Sequence, residues 1–311
     1  MYNGVIIVNK EKGFTSHDVV AKLRGILKQK KIGHTGTLDP DATGVLPVCL
    51  GHATKLCDML TDKDKTYETV MLLGKVTDTQ DISGQVIEEY DIDSMREAGN
   101  LDDSKIMEVI NSFVGDYNQI PPMYSALKVN GKKLYELARE GIEIERKPRP
   151  VRIIAIENVR IEYPRVYMTV SCSKGTYIRT LCHDIGQKLL CGACMEELKR
   201  TKVSNFCIEE SLTLSQISSL ADSEEGICSK LISVEKIFEM YPKIKTSIKY
   251  DKMLYNGNSV VPFMLDIDEK IILEDDKRYR MYDSAGQFIG IFYYNKKEKL
   301  IKCDKMFYVA K

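Results

Sequence analysis

The chain has 311 residues, of which 43% are hydrophobic and 29% charged, and its formal net charge is zero. This composition is enough for a hydrophobic core in one large domain or two domains. No apolar run approaches the roughly 20 residues of a membrane helix, and the N-terminal apolar stretch is too short for a secretion signal. These features exclude a membrane-spanning or secreted chain, so we expect a cytoplasmic protein that does not contact a membrane.

The first predicted elements alternate between strands and helices. GVIIVNK is typical of a strand, and Ser16 is the expected N-cap of a helix over SHDVVAKLRGILKQ. A glycine-rich loop over residues 33–51 follows, and then a strand in YETVMLLGKVTDT. The spacing of SKIMEVINSFVG predicts a helix that ends at Gly115, and a second amphipathic helix is expected to end at Gly141.

The second half of the body continues this pattern. Strands are predicted in PVRIIAIENVRIEY and RVYMTVSCSKGTYIR, followed by a helix in TLCHDIGQKLL. From about residue 243, apolar and polar residues alternate, with turns expected at Asn-Gly and Ala-Gly pairs. The sequence therefore predicts an α+β body over residues 1–242 and a small β domain over residues 243–311.

Charge is unevenly distributed along the neutral chain. Residues 76–120 contain eleven acidic and two basic residues, whereas residues 121–202 contain sixteen basic and nine acidic ones. An acidic region beside a basic one can focus a polyanion onto one face of the protein, although charge segregation along a solvated surface is an equally good interpretation.

The loop GHTGTLDPDATGVLP holds the most informative chemistry. Its glycines allow positive φ angles and close approach of a ligand, and Pro40 favours an extended Asp39. Asp41, two residues along an extended chain, is expected to face the other way, so it does not form the carboxylate pair of a retaining glycosidase. The loop thus presents a single acid.

Other sites with recognisable spacing are absent from the sequence. Neither the P-loop pattern nor the dinucleotide-binding glycine pattern occurs, and the four histidines show no metal-binding spacing. Cys191 and Cys194 form a lone CxxC pair, whereas a structural zinc site needs a second pair. The nine cysteines are scattered and odd in number, which predicts reduced thiols. We therefore expect a site without a metal or a cofactor.

Five ordered segments resemble the TruB family of tRNA pseudouridine-55 synthases, of the bacterial type. They are VNKEKGFTSHDVV (8–20), GHTGTLDPDATGVLPVCLGHATK (33–55), DKTYETVMLLG (64–74), PPMYSALKVNGKKLYELAREG (121–141) and SKGTYIRTLCHDIG (173–186). The resemblance implies the pseudouridine synthase fold, with a mixed, largely antiparallel central sheet flanked by helices, and a small C-terminal PUA-like β domain. It also implies that uridine 55 in the T loop of tRNA is isomerised without a metal or cofactor.

The resemblance carries over to three catalytic positions. Asp39 matches the catalytic aspartate, which either attacks the sugar or base or removes a ribose proton. Arg179 matches an arginine that pairs with it, and a nearby guanidinium is expected to keep the acid ionised and lower its pKa. Tyr67 matches the tyrosine that stacks on the target base and takes the proton from C5.

Substrate-binding positions follow by the same comparison. His34, Tyr177 and Leu198 match residues that contact the RNA, and Lys10 matches a lysine that lines the cleft. Residues 121–152 resemble a mobile RNA-gripping segment, and its basic residues are expected to bind phosphates, so that affinity falls with salt. These residues are Lys128, Lys132, Lys133, Arg139, Arg146, Lys147, Arg149 and Arg152. The C-terminal domain is expected to touch the elbow or the acceptor end of the tRNA.

The resemblance also implies a monomer that needs no protein partner. Two residues depart from the family pattern: Glu11 replaces a usual proline, and Cys194 replaces a common histidine. Two alternative functions stay open. The chain is a tRNA-binding or tRNA-folding module in which catalysis is secondary, or it is a related enzyme guided to ribosomal RNA by other proteins, which the lack of a long basic extension disfavours.

Overall fold

A computed structural model describes residues 1–129, 131–268 and 271–308, with the side chains of residues 224 and 225 excepted. Residues 130, 269–270 and 309–311, which belong to the predicted RNA-gripping segment and C-terminal domain, lie outside this description. The strands of the body are β1 (Gly4–Lys10), β2 (Ile32–His34), β3 (Thr43–Leu50), β4 (Lys65–Leu73), β5 (Lys75–Thr77), β6 (Val86–Glu89), β7 (Gly115–Gln119), β8 (Lys128–Val129), β9 (Lys132–Lys133), β10 (Arg149–Glu162), β11 (Arg165–Cys172), β12 (Ala193–Val203) and β13 (Phe206–Cys207).

The helices and the remaining strands complete the chain. The helices are α1 (Ser16–Ile26), α2 (Cys57–Thr61), α3 (Ile92–Glu97), α4 (Asp103–Asn111), α5 (Leu134–Arg139), α6 (Ile178–Lys188), α7 (Leu214–Leu220), α8 (Glu224–Cys228), α9 (Val234–Ile237) and α10 (Asp251–Tyr255). Short 3₁₀ helices occupy Gly51–Leu56, Ile208–Glu210, Ile248–Tyr250 and Pro262–Met264. The C-terminal strands are β14 (Lys243–Thr246), β15 (Leu265–Asp266), β16 (Arg278–Tyr282), β17 (Phe288–Asn295) and β18 (Leu300–Met306).

A nine-stranded sheet forms the centre of the body. Its main order is β1-β3-β12-β4-β11-β10-β7, with β2 beside β3 and β13 beside β12. The pairing of β12 with β3 is parallel, whereas the other neighbours pair antiparallel. The predicted α+β class, with a mixed and largely antiparallel sheet, is therefore confirmed.

Separate apolar clusters cover the faces of this sheet. Helices α4 and α6 contribute to one cluster, in which Leu181 and Ile185 pack with Met71 and Val170. Helices α1 and α7 contribute to another cluster, which is built on strands β1 and β3. Because α6 is anchored by its buried residues, the side chains of its first turn occupy fixed positions above the sheet.

Two helix boundaries differ from the sequence predictions. Thr15, not Ser16, is the N-cap of α1, because its hydroxyl accepts a hydrogen bond from the Asp18 amide at 3.1 Å. Helix α4 ends at Asn111 rather than at Gly115, which is instead the first residue of β7. The predicted end of α5 before Gly141 is correct, since this glycine adopts a φ of +73° directly after the helix.

The C-terminal sheet has the order β15-β14-β16-β17-β18. The Ala285-Gly286 turn joins β16 to β17 as predicted, but the segment before Gly257 forms helix α10 rather than a strand. The domain packs on the body, where Ile291 and Phe307 join the apolar cluster that contains Phe238. Within the described ranges, no helix is long and apolar enough to cross a membrane.

Candidate active site

The Asp39 loop lies between β2 and β3 and is fixed by hydrogen bonds at several points. The Ala42 amide donates to the Asp39 carbonyl at 3.1 Å, which closes a β-turn with Pro40 in its second position. The Leu38 amide donates to the Ser16 hydroxyl at 2.9 Å, which attaches the loop to the start of α1. The loop that the sequence marks as glycine-rich is therefore held rigidly around Asp39.

Lys10 supports this loop from below. Its ammonium group donates to the carbonyl oxygens of Phe14 at 2.6 Å, Pro40 at 2.9 Å and Glu11 at 3.1 Å. Burial lowers the pKa of Lys10 to about 8, against the opposing effect of Asp41 and then Asp39. The side chain has no exposed surface and all three donors are used. Lys10 therefore positions the loop, and its place among the residues that line the substrate cleft stays a prediction.

Arg200 is a second buried cation beneath the loop, and sequence reasoning missed it. With 1% exposure, it donates to the Val45 carbonyl at 2.8 Å and to the Gly36 carbonyl at 3.1 Å. Gly44 has a φ of +103°, and a Cβ there would lie 2.2 Å from the Arg200 carbonyl oxygen. Only glycine allows this approach, so the glycine in the loop was the available sign of a buried neighbour.

Asp39 and Arg179, which are 140 residues apart in sequence, form an ion pair. Arg179 is the second residue of α6, and its Nη2 lies 3.2 Å from both Asp39 carboxylate oxygens. Nη2 also donates to the Tyr124 carbonyl at 2.8 Å, and Nη1 lies 3.6 Å from Asp81. The Arg179 side chain is 7% exposed, but that of Asp39 is 40% exposed. The buried guanidinium thus orients the Asp39 carboxylate, and part of the carboxylate stays accessible to a ligand from solvent.

Burial raises the pKa of Asp39 above its ordinary value, whereas Arg179 lowers it and Asp81 raises it. The predicted net lowering is therefore wrong in direction. The physical reason is that the loop removes water from much of the carboxylate and that Asp81 shares the same guanidinium. In the sequence, Asp81 is one of eleven acidic residues in the region 76–120, and its spacing does not indicate this role.

Tyr67 lies on β4 in the apolar cluster that includes Leu38 and Ala42, the residues on either side of the Asp39 turn. Burial raises the pKa of Tyr67, while its hydrogen-bond partner Arg200 opposes the rise. Tyr67 is therefore a neutral phenol at neutral pH. Leu198, on the neighbouring strand β12, packs against the same cluster.

His34 and Tyr177 flank this centre. His34 ends β2, and its ring meets that of His17 edge-on at 5.1 Å between centroids. Burial lowers the pKa of His34 to about 4, with further contributions from His17 and Arg200, so the imidazole is neutral at pH 7. Tyr177 caps α6, and its ring centre lies 6.0 Å from the Arg179 guanidinium carbon.

The basic residues of the RNA-gripping segment are largely exposed, but some already have partners. Lys132 lies 3.5 Å from Glu140, and Arg146 lies 2.9 Å from Glu143. Arg146 also donates to the Pro121 carbonyl at 3.3 Å, which ties the segment to its own start. Two of the eight predicted phosphate-binding cations, Lys132 and Arg146, are therefore partly neutralised by glutamates before any RNA binds.

The cysteines were the remaining candidates for a metal centre. Among the described residues, no group of three or more histidine, cysteine or acidic side chains is arranged to hold a metal ion. Cys191 and Cys194 are buried free thiols, and burial raises the pKa of each to about 11. These thiols are protonated at neutral pH and belong to the core.

Comparison with known proteins gives consistent matches. The profile of the TruB family pseudouridylate synthase (N terminal domain) matches residues 24–178, and that of the tRNA pseudouridylate synthase B C-terminal domain matches residues 179–239. A protein called tRNA pseudouridine synthase B from Lachnoclostridium phytofermentans is 50% identical, covering 98% of this chain and 99% of that one. A protein of the same name from Clostridium perfringens is 45% identical, with 98% coverage of both chains.

Solved structures match the fold over the same length. A chain of a Cbf5-Nop10-Gar1 complex is 26% identical with a TM-score of 0.70, covering 98% of this chain and 85% of that one. A chain of an H/ACA RNP bound to a substrate RNA containing 2′-deoxyuridine is 25% identical, with a TM-score of 0.69 and the same coverage. The sequence resemblance is thus confirmed, and the chain belongs to the TruB family of pseudouridine synthases, which are isomerases.

Proposed function

We propose that this protein converts uridine 55 in the T loop of tRNA into pseudouridine, with Asp39 as the catalytic group. The observation that carries the proposal is the contact between Asp39 and Arg179 at 3.2 Å, on an accessible carboxylate. Tyr67 lies close enough for the Asp39 charge to affect its pKa. An acid, a cation and an aromatic ring from three distant segments thus converge on one loop.

The isomerisation needs one acid and no redox step. The N1–C1′ bond breaks, the base turns, and C5 bonds to C1′; the C5 proton leaves, and N1 gains a proton. Atoms and electrons balance without hydrolysis or oxidation. Ionised Asp39 either attacks the sugar or base or removes a ribose proton, and both routes use the carboxylate orientation that Arg179 provides.

Tyr67 stacks on the base and receives the proton from C5 in this proposal. Because Tyr67 is a neutral phenol before the reaction, its own hydroxyl proton has to leave as the C5 proton arrives, and N1, which gains a proton in the reaction, is the acceptor that balances the step. The hydrogen bond from Arg200 stabilises the negative charge that develops on the Tyr67 oxygen during this exchange. This assigns Arg200 a role in the site besides its support of the loop.

Binding requires that the uridine leave its stacked position, at a cost of a few kcal/mol. His34, Tyr177 and Leu198 form the surroundings in which we place the extruded base and its neighbours. A neutral His34 fits an insertion between bases, since it adds no buried charge. The exposed cations of residues 128–152 then bind phosphates, together with the C-terminal domain.

The tRNA substrate is supported by the relatives that carry the name tRNA pseudouridine synthase B along nearly the whole chain. We further propose a division between a catalytic domain of residues 1–242 and a PUA-like domain from residue 243, where β14 begins. Cytoplasmic location, a monomeric state and independence from a protein partner are part of the same proposal.

An unmodified tRNA transcript incubated with purified protein, followed by mapping of pseudouridine, tests this function. We expect product at position 55 with the wild type and none with Asp39→Asn, in the absence of any other protein. Equal conversion by both would refute the role of Asp39. Strong tRNA binding without product would favour a binding module, and modification that requires added guide RNA and proteins would favour the guided enzyme.

A further inference from the structure

Gln119 is a buried polar residue at the base of the RNA-gripping segment. It is the last residue of β7 and is 1% exposed. Its backbone pairs with that of Arg149, the first residue of β10. The chain leaves the central sheet directly after Gln119 and returns at Arg149, so this residue lies where the segment is attached to the body.

The side-chain amide of Gln119 binds the backbone of Tyr177 twice. Its oxygen accepts from the Tyr177 amide at 2.8 Å, and its nitrogen donates to the Tyr177 carbonyl at 3.0 Å. Tyr177 is the N-cap of α6, two residues before Arg179, and has no side-chain capping bond of its own. Gln119 thus satisfies an amide that the helix itself leaves free.

Strand β7 holds the same helix at a second point. Tyr117, on the same face of the strand, donates through its hydroxyl to the Asp184 carboxylate. The two contacts lie seven residues apart on α6, about two helical turns. Both the position of the helix and its rotation about its axis are therefore fixed relative to β7.

We propose that Gln119 is a positioning residue for catalysis, which holds the first turn of α6 so that Arg179 reaches Asp39. This inference rests on the proposed roles of Asp39 and Arg179. Arg179 is bound to Asp39 through Nη2 alone, at 3.2 Å, and the same nitrogen donates to Tyr124 at 2.8 Å. Loss of the Gln119 contacts lets the first turn move, and a shift of about 1 Å can lower a rate about 100-fold.

The pH dependence of the rate distinguishes positioning from general stabilisation. Arg179 lowers the pKa of Asp39, so withdrawing the guanidinium raises this pKa further and moves the acidic limb of the rate profile to higher pH. Of the other groups that face Asp39, the side chains of Asp81, Lys10, Asp41 and Tyr67 lie outside α6 and stay in place in such a variant, whereas Tyr177, a neutral phenol, moves with the first turn.

The test uses full-length Gln119→Met, which keeps the length of the side chain and its neutrality but removes both hydrogen bonds. Gln187→Met, at an exposed position of the same helix, is the matched control. Single-turnover release of tritium from C5-labelled uridine in tRNA is measured across pH, with the Kd for tRNA and the thermal midpoint. We expect Gln119→Met to react 10- to 100-fold slower with its acidic limb at higher pH, a Kd within about threefold of the wild type, and an unchanged control.

Other outcomes overturn the inference or a different part of the proposal. A lower thermal midpoint with an unchanged rate and pH profile would make Gln119 merely structural. If Gln119→Met does not fold, Gln119→Asn keeps the polar amide but is one methylene too short to reach both Tyr177 backbone atoms, and a wild-type rate in that variant likewise refutes the inference. A wild type without activity would instead refute the proposed function, so the two failures are distinguishable.

Discussion

Replacement of Arg179 by methionine tests the central pair most directly. Methionine has a similar length and suits a side chain that is 7% exposed, but it removes every contact to Asp39, Asp81 and the Tyr124 carbonyl. A charge-assisted hydrogen bond contributes about 1.5–3 kcal/mol. Because 40% of the Asp39 side chain is exposed, solvent screening places the contribution of this ion pair near the lower end of that range, at about 2 kcal/mol. Loss of this contribution in the transition state lowers the rate about 30-fold.

Orientation adds to this loss. A carboxylate without its partner samples other rotamers, and misplacement by about 1 Å costs about 100-fold. The combined expectation for Arg179→Met is a decrease of about 10³-fold in the single-turnover rate at neutral pH. Since loss of the positive charge raises the pKa of Asp39 further, the deficit should be greatest at acidic pH and shrink as pH rises.

Arg179→Lys separates charge from orientation. A single ammonium nitrogen keeps the charge but cannot bind Asp39, Asp81 and Tyr124 together, so we expect about a 100-fold lower rate and an acidic limb close to that of the wild type. Single-turnover tritium release with excess enzyme, together with tRNA binding by filter retention, measures both. A rate within threefold of the wild type for Arg179→Met, or a loss explained entirely by binding, would refute the reasoning.

The other expected outcomes concern residues around the same pair. Asp39→Ala should abolish turnover in the tritium assay while the Kd for tRNA stays within a few fold, and lost binding would make Asp39 structural. Tyr67→Phe should retain binding but lose most of the single-turnover rate, so a near-normal rate would exclude proton transfer to its oxygen. Lys10→Met should lower the thermal midpoint and the rate with little change in the Kd for tRNA, whereas a large rise in Kd would show that Lys10 contacts the substrate. Gly44→Ala should lower the thermal midpoint by several degrees, because its Cβ would lie 2.2 Å from the Arg200 carbonyl, and calorimetry measures the change.

The sequence predicted the arrangement of strands well because apolar alternation and family segments are both local signals. GVIIVNK forms β1, and PVRIIAIENVRIEY forms most of β10. The first and last residues of the helices were less predictable where two neighbouring residues could both serve as the helix cap. Thr15 and Ser16 both suit a helix N-cap, and the structure assigns the cap to Thr15 because Ser16 is buried and bound to Leu38.

Electrostatics of the site could not be predicted from spacing. The pKa of Asp39 depends on how much water the folded loop excludes and on Asp81, which reaches Arg179 through tertiary structure alone. Arg200 and Gln119 were missed for a related reason. Each acts through backbone atoms of a distant segment, and a backbone partner does not identify the side chain that binds it; Gly44 indicates a close neighbour but not that this neighbour is Arg200.

Buried cations around the Asp39 loop suggest why a single acid is sufficient. Lys10, Arg200 and Lys65 donate to backbone carbonyls, and burial lowers the pKa of Lys10 and of Lys65 to about 8. The hydrogen bonds of these cations go to backbone carbonyls rather than to carboxylates, while Asp41 and Asp39 act on Lys10 only through their charge. Within the part of the chain that the structure describes, Arg179 alone forms an ion pair with Asp39. In the proposed reaction, a preformed positive environment that needs no rearrangement would stabilise negative charge on the acid and on the Tyr67 oxygen as the base is transferred. A rigid framework of backbone carbonyls that holds these cations around one acid is therefore what the proposed chemistry requires of this fold.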